Sequence, residues 1–215
     1  MKSFYGCMIA GSLALLFAAN GCMSIKQPYI EKRQYVLEAK RPGDAVPTTG
    51  TALLKVRPFV AAPLCEGSSF VYRLQENRYA ADFYHVFLIP VNNQLTEIQR
   101  QWLAQAGFPT AQSSSRLDPL FILENTLLTC RGDYRNPAHP LAIVEIETAL
   151  VDNRNSPPQL VFQKTYCREI LLKKASPDEL VRGWNEALAG ILTELESDLQ
   201  NQKELSKAGA AGPRS

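Results

Sequence analysis

His85 and His139 are the only histidines in this 215-residue chain, and no nucleophile is placed beside either. His85 sits in "YAADFYHVF" and His139 in the turn "NPAHP". An imidazole at a strand end can act as a general base, but there it is more often structural. Glu145 and Glu147 are two residues apart on an expected strand, so they share a face. Carboxylate chemistry of the glycosidase kind needs a partner acid about 5–9 Å away across a cleft, and a solvated outer face is the simpler expectation. The chain contains no G-x-S-x-G, H-E-x-x-H, Walker A, G-x-G-x-x-G or C-x-x-C motif. No catalytic set, metal site or cofactor is therefore expected. The formal charge of +2 gives no basic field for nucleic acid.

Cysteine chemistry is concentrated at the N-terminus. Lys2 precedes an apolar run from Phe4 to Ala19, sixteen residues long. A helix crossing the hydrocarbon core needs about 20. The run therefore reads as a secretory signal, residues 1–21. It ends in Ala19-Asn20-Gly21-Cys22, with small residues where a signal peptidase needs them. This stretch resembles a bacterial lipobox, with Ala in place of the usual Leu. The resemblance implies cleavage before Cys22 and a covalent lipid, palmitate included, on that cysteine. Three acyl chains exceed the two signals that stable anchoring requires. Residues 22–33 are polar and contain a proline, as suits a lipidated tether. Met23 is not Asp, which by analogy favours the outer membrane over retention at the inner one. Cys7 would leave with the signal, and the remaining cysteines, Cys65, Cys130 and Cys167, allow one disulfide and one free thiol, or three small apolar side chains. Spacing does not choose between these.

The elements that must position these residues follow from periodicity. Residues 34–39 are extended and 41–50 carry loop chemistry. Residues 51–62 alternate as a strand that bends at Pro58. Residues 70–87 read as a hairpin, "FVYRL" and "YAADFYHVF" around the polar turn "QENR". From Pro90 to Ala106 the period becomes helical, with Leu95, Ile98, Trp102 and Ala106 on one stripe and Gly107 as the stop. Three β-segments follow, 119–131, 141–152 and 159–172, joined by turn residues as an antiparallel meander. The last helix has Ser176 as N-cap, Pro177 at its first position and Glu179 completing a capping box. Its apolar stripe is Leu180, Trp184, Leu188, Ile191, Leu195 and Leu199. Each helix shows one stripe and so covers one surface. The expectation is a single α+β domain over 34–200: a mostly antiparallel sheet with two amphipathic helices packed on it. A disordered tail is expected over 201–215.

Aromatic residues are densest in the hairpin: Phe70, Tyr72, Tyr79, Phe83, Tyr84 and Phe87, with Arg73 and Arg78 among them. A hairpin alternates faces, so half of these serve the core and half are left outside. Aromatic and arginine side chains are what interfaces collect. Tyr72, Arg73, Arg78, Tyr79, Phe83 and Tyr84 form the candidate partner-binding set.

The order of these pieces resembles the ABC-type transport auxiliary lipoproteins, the family containing paraquat-inducible protein C. The resemblance rests on Val71–Tyr72–Arg73, the turn Gln75–Arg78, the aromatic strand Tyr79–Phe87, Pro90, and the helix Leu95–Ala106. It continues through the meander to Asn185, Ala187 and Leu188 in the last helix, covering roughly residues 22–200. "FLIPVN" departs from the Trp-Ala-Glu-Pro-Leu run of many relatives. The resemblance implies a non-enzymatic lipoprotein on the periplasmic face of the outer membrane. It would serve an inner-membrane ABC transporter and its MCE-domain subunit in moving lipids between membranes, and some relatives are thought to form rings, so a homo-oligomer is implied as an option. Two other functions rank below it: a carrier holding lipid in an apolar cavity of about 300 Å³ or more, for which two helices on one small sheet leave little room, and an activator of a cell-wall enzyme, which no residue selects.

Overall fold

The computed structural model describes residues 31–48, 51–111, 118–203 and 205. From Lys32 onward the chain forms one unit. Its strands are β1 (Arg33–Tyr35), β2 (Leu54–Val56), β3 (Val60–Ala61), β4 (Ser69–Gln75) and β5 (Arg78–Phe87). Helix α1 (Val91–Gln105) follows, then β6 (Phe121–Asp133), β7 (Leu141–Asp152), β8 (Gln159–Leu171) and helix α2 (Pro177–Gln200). The expected signal peptide, Cys22 and nearly all of the expected tether lie outside the described residues.

Strands β6, β7 and β8 form the expected antiparallel meander, with Leu127 opposite Ile146 and Ile146 opposite Tyr166. Strands β4 and β5 form the expected hairpin, pairing Arg73 with Tyr79. The two sets join in a way that periodicity does not show. Strand β4 runs parallel to β6, Tyr72 beside Gly132. Strands β2 and β3 lie parallel along the same edge of β6, farther back at Phe121–Leu123 and Thr126–Leu127. Strand β1 runs parallel to the end of β5. The eight-stranded sheet is therefore mixed, although its long ladders are antiparallel. Pro58 separates β2 from β3, because its ring removes an N–H from the ladder.

Helix α2 lies along β7 and β8. All six residues of its expected stripe are at most 1% exposed. Each such side chain contributes about 1.5–3 kcal/mol by leaving water. The helix comes close because Gly183 has no side chain: a Cβ there would sit 2.6 Å from Ala142 Cβ and from Leu172 Cδ2. The next residue, Trp184, meets Phe70 edge-on at 4.8 Å and Phe87 at 5.4 Å, and its indole N–H donates to Arg131 O at 3.2 Å. At the start of α2, Ser176 Oγ accepts from Glu179 N at 3.4 Å. The reciprocal half of the expected capping box is absent. Glu179 Oε2 instead accepts from Lys173 N and Arg182.

Helix α1 departs from the one-stripe expectation. Leu95 and Trp102 are buried, but so are Gln94 and Gln99. The segment after β1 covers this second face. Gln94 Oε1 accepts from Leu37 N at 2.7 Å, and Gln94 Nε2 donates to Ile89 O at 2.6 Å. Deeper in, Gln99 Nε2 and Thr148 Oγ1 both donate to Asn125 Oδ1. Gly107, at φ +87, ends the helix as expected. At the other end of the chain, Leu205 is 9% exposed and belongs to the core, so the chain remains packed past Gln200. The rest of the expected tail, 204 and 206–215, lies outside the described residues.

Candidate functional site

The β4–β5 hairpin holds the densest polar network of the aromatic cluster. Its ladder is interrupted: Val71 pairs with Ala81 and Ser69 with Val86. Two steps along β4 thus match five along β5, and residues 82–85 bulge out. An Asp inside a β-run is unfavourable unless its carboxylate has local donors. Here Asp82 supplies the closure of the bulge. Its Oδ1 accepts from Tyr84 N at 2.8 Å and His85 N at 3.0 Å. Its Oδ2 accepts from the Tyr72 hydroxyl at 2.7 Å and lies 2.7 Å from His85 Nδ1. Burial pushes the Asp82 carboxyl up, but these donors outweigh it and hold the group below the usual carboxylate range. Burial, followed by the Asp82 hydrogen bond, drives the Tyr72 hydroxyl far above its ordinary value. The Tyr134 ring stacks on Tyr72 at 5.2 Å. Burial and the Asp82 charge push the Tyr134 hydroxyl up to about 12. A carboxylate already taken by four donors is a poor base, and phenols held this high stay protonated. This network braces the hairpin.

The six candidate residues divide accordingly. Tyr72 faces inward and is spent on Asp82. Arg73 folds onto the turn, donating from Nη2 to Glu76 O at 2.9 Å and to Glu76 Oε1 at 2.7 Å. Glu76 Oε2 also accepts from Arg135, which holds Asp133 through both carboxylate oxygens. Tyr72 and Arg73 thus build the hairpin and offer little to a partner. Arg78, Tyr79, Phe83 and Tyr84 are exposed. Tyr79 borders a small hollow with Leu64 and Val71. Phe83 is 68% exposed, the highest of the large apolar side chains among the described residues, and Tyr84 meets it edge-on at 5.3 Å. The Lys32 ammonium lies 4.5 Å over the Phe83 ring. Sequence reasoning found the aromatic pair and missed Asp82. The available signal was an Asp followed at once by Phe-Tyr-His inside a β-run.

The other candidates are placed plainly. His139 is an exposed turn residue 3.2 Å from Asn136 Nδ2. Glu145 and Glu147 are half-buried on one face of β7, and Glu145 accepts from Thr129 Oγ1 at 3.3 Å. Cys65, Cys130 and Cys167 are free thiols, the first two buried and the third exposed. Among the described residues no helix is long and apolar enough to cross a membrane. A cleft of about 670 Å³ opens between segment 37–41 and α1. Its walls mix Leu37, Ile98 and Trp102 with Glu38, Lys40 and Arg41.

The fold defines the class: a mixed sheet with two helices in one α+β domain. A crystal structure of a Xanthomonas campestris protein of family DUF330 shares it, with TM-score 0.65 and 16% identity over 79% of this chain and 99% of that one. The crystal structure of an uncharacterized protein matches with TM-score 0.63 and 19% identity, over 79% and 99% of the two chains. No family model and no curated protein matches the chain.

Proposed function

We propose that this chain is a lipid-anchored accessory protein of an MCE-type ABC transport system, held at the periplasmic face of the outer membrane through Cys22. The observation that carries this reading is the order of elements. The Tyr72–Arg73 strand, tight turn, aromatic strand, Pro90-led helix, meander and closing helix occur in one fold, and a DUF330 protein shares that fold along nearly its whole length. Docking is assigned to the turn end of the hairpin, where Arg78 and Tyr79 stand exposed beside Leu64. No catalytic step is assigned, and self-association into a ring is compatible with this role. The cleft between segment 37–41 and α1 lends the lipid-carrier reading nothing, because charged side chains interrupt its apolar lining.

The test combines fractionation with photocrosslinking from position 79 in wild type and in Cys22→Ala. The wild type should sediment with outer membrane and capture an MCE subunit, while Cys22→Ala should be released from it. Equal fractionation of the two would remove the anchor. Anchoring without capture of any transporter subunit would remove the docking role.

A further inference from the structure

We propose that the Phe83–Tyr84 bulge is a membrane-contact knuckle that rests in the headgroup region of the same phospholipid leaflet that holds the lipid on Cys22. This rests on the anchoring reading and adds an orientation to it.

Three observations converge on this patch. The first is exposure that the fold maintains. Four hydrogen bonds to Asp82 hold residues 82–85 out of the ladder with β4, so two adjacent aromatic side chains leave the sheet together. A regular strand would send them to opposite faces. Phe83 and Tyr84 are 68% and 38% exposed despite this bracing. The second is where the chain outside the structure ends. Lys32 packs on the Phe83 ring, and it lies only ten residues after Cys22. Ten residues reach at most about 35 Å when fully extended. The described chain therefore begins beside the knuckle, within tether reach of the lipid. The third is chemistry. An apolar ring beside a phenol suits the boundary between acyl chains and water, where aromatic residues collect. Lys32 and the exposed Arg33 add two cations against anionic headgroups.

The contact also divides the hairpin between two tasks. Phe83 and Tyr84 face the bilayer, and Arg78 and Tyr79, toward the turn, stay free for a protein. Asp82 is a positioning residue for the first task.

The experiment places the full mature protein on vesicles of phosphatidylethanolamine and phosphatidylglycerol. Some vesicles carry acyl chains brominated near the headgroup, which quench tryptophan on contact. Both native tryptophans, Trp102 and Trp184, are buried and give a constant background. Phe83→Trp should lose emission about twofold in brominated vesicles, whereas Leu160→Trp, on the far edge strand β8, should be little changed. Asp82→Ala added to Phe83→Trp should reduce that quenching. Mass spectrometry of the Cys22 peptide from the same sample reports acylation separately. If Cys22 is acylated and position 83 is quenched no more than position 160, the knuckle proposal is overturned while the anchor stands. If Cys22 carries no lipid, the anchor fails, and the knuckle then survives only if position 83 is still quenched. Capture of a protein from position 83 by photocrosslinking in cells, with no quenching by lipid, would overturn the proposal in favour of a second protein-docking surface.

Discussion

Replacing Glu196 by alanine should be among the most damaging changes outside the apolar core. The Glu196 carboxylate takes three donors from two other parts of the chain. Arg41 Nε and Nη2 reach it at 3.0 and 2.8 Å, and Trp102 Nε1 at 2.9 Å. The Arg41 and Glu196 side chains are only 12% and 13% exposed. This one group therefore ties α2 to α1 and to the covering segment 37–41. Its loss leaves a buried indole N–H without an acceptor, about 1–3 kcal/mol, and removes a charge-assisted pair worth about 1.5–3 kcal/mol. Arg41 can swing toward water, which recovers part of this, so the net cost should be about 3 kcal/mol. In a domain of this size that lowers Tm by roughly 6–12 °C. Glu186→Ala is the control, because its pair with Arg182 is 57% and 40% exposed and should be worth well under about 1 kcal/mol. The Arg41 hydrogen bonds, against the opposing effect of burial, hold the Glu196 carboxyl below its ordinary value. A depressed carboxyl contributes stability that is present above the unfolded value, about 4.3, and is lost as pH falls through the folded value. The stability difference between wild type and Glu196→Ala, measured by urea denaturation, should therefore shrink below about pH 4.3. A cost equal to that of Glu186→Ala, or a difference that stays constant down to pH 3, would refute the assignment.

Two further predictions address packing and thiols. Gly183→Ala improves intrinsic helix propensity by about 1 kcal/mol, yet it should destabilise by about 1–3 kcal/mol, because α2 must lift off Ala142 and Leu172; a rise in Tm would show that the close approach is not real. Of Cys65, Cys130 and Cys167 in the native protein, maleimide should label Cys167 and spare the other two, with a rate that climbs with pH above the ordinary thiol range. Partial burial and then Glu145 and Glu169 raise the Cys167 thiol. Equal labelling of all three, or a flat pH profile, would contradict this.

Much of the architecture was legible because it depends on neighbours in the chain. The meander and the α2 stripe follow from apolar periods of 2 and 3.6, and the hairpin turn, the break at Pro58 and the Gly107 stop follow from single residues with special backbone chemistry. The candidate site was legible in part. Aromatic density marked the hairpin, and alternation implied that half of it would be exposed. Alternation failed at Asp82, where three extra residues shift the register and turn Phe83 and Tyr84 outward together. It also gave no warning that Tyr72 and Arg73 would be consumed by Asp82 and Glu76.

The sequence by itself determined which stretches are strands and helices, and which faces of them are apolar, since those properties are carried by residues within a few positions of one another. The tertiary structure alone decided that β4, β2 and β3 share one edge of β6 in parallel, that a covering segment buries Gln94, and that Asn125 of β6 takes the buried Gln99. It alone brought Arg41, Trp102 and Glu196 together across 155 residues. These contacts depend on which distant surfaces meet, and a polar side chain reads the same in sequence whether water or a partner 100 residues away will satisfy it.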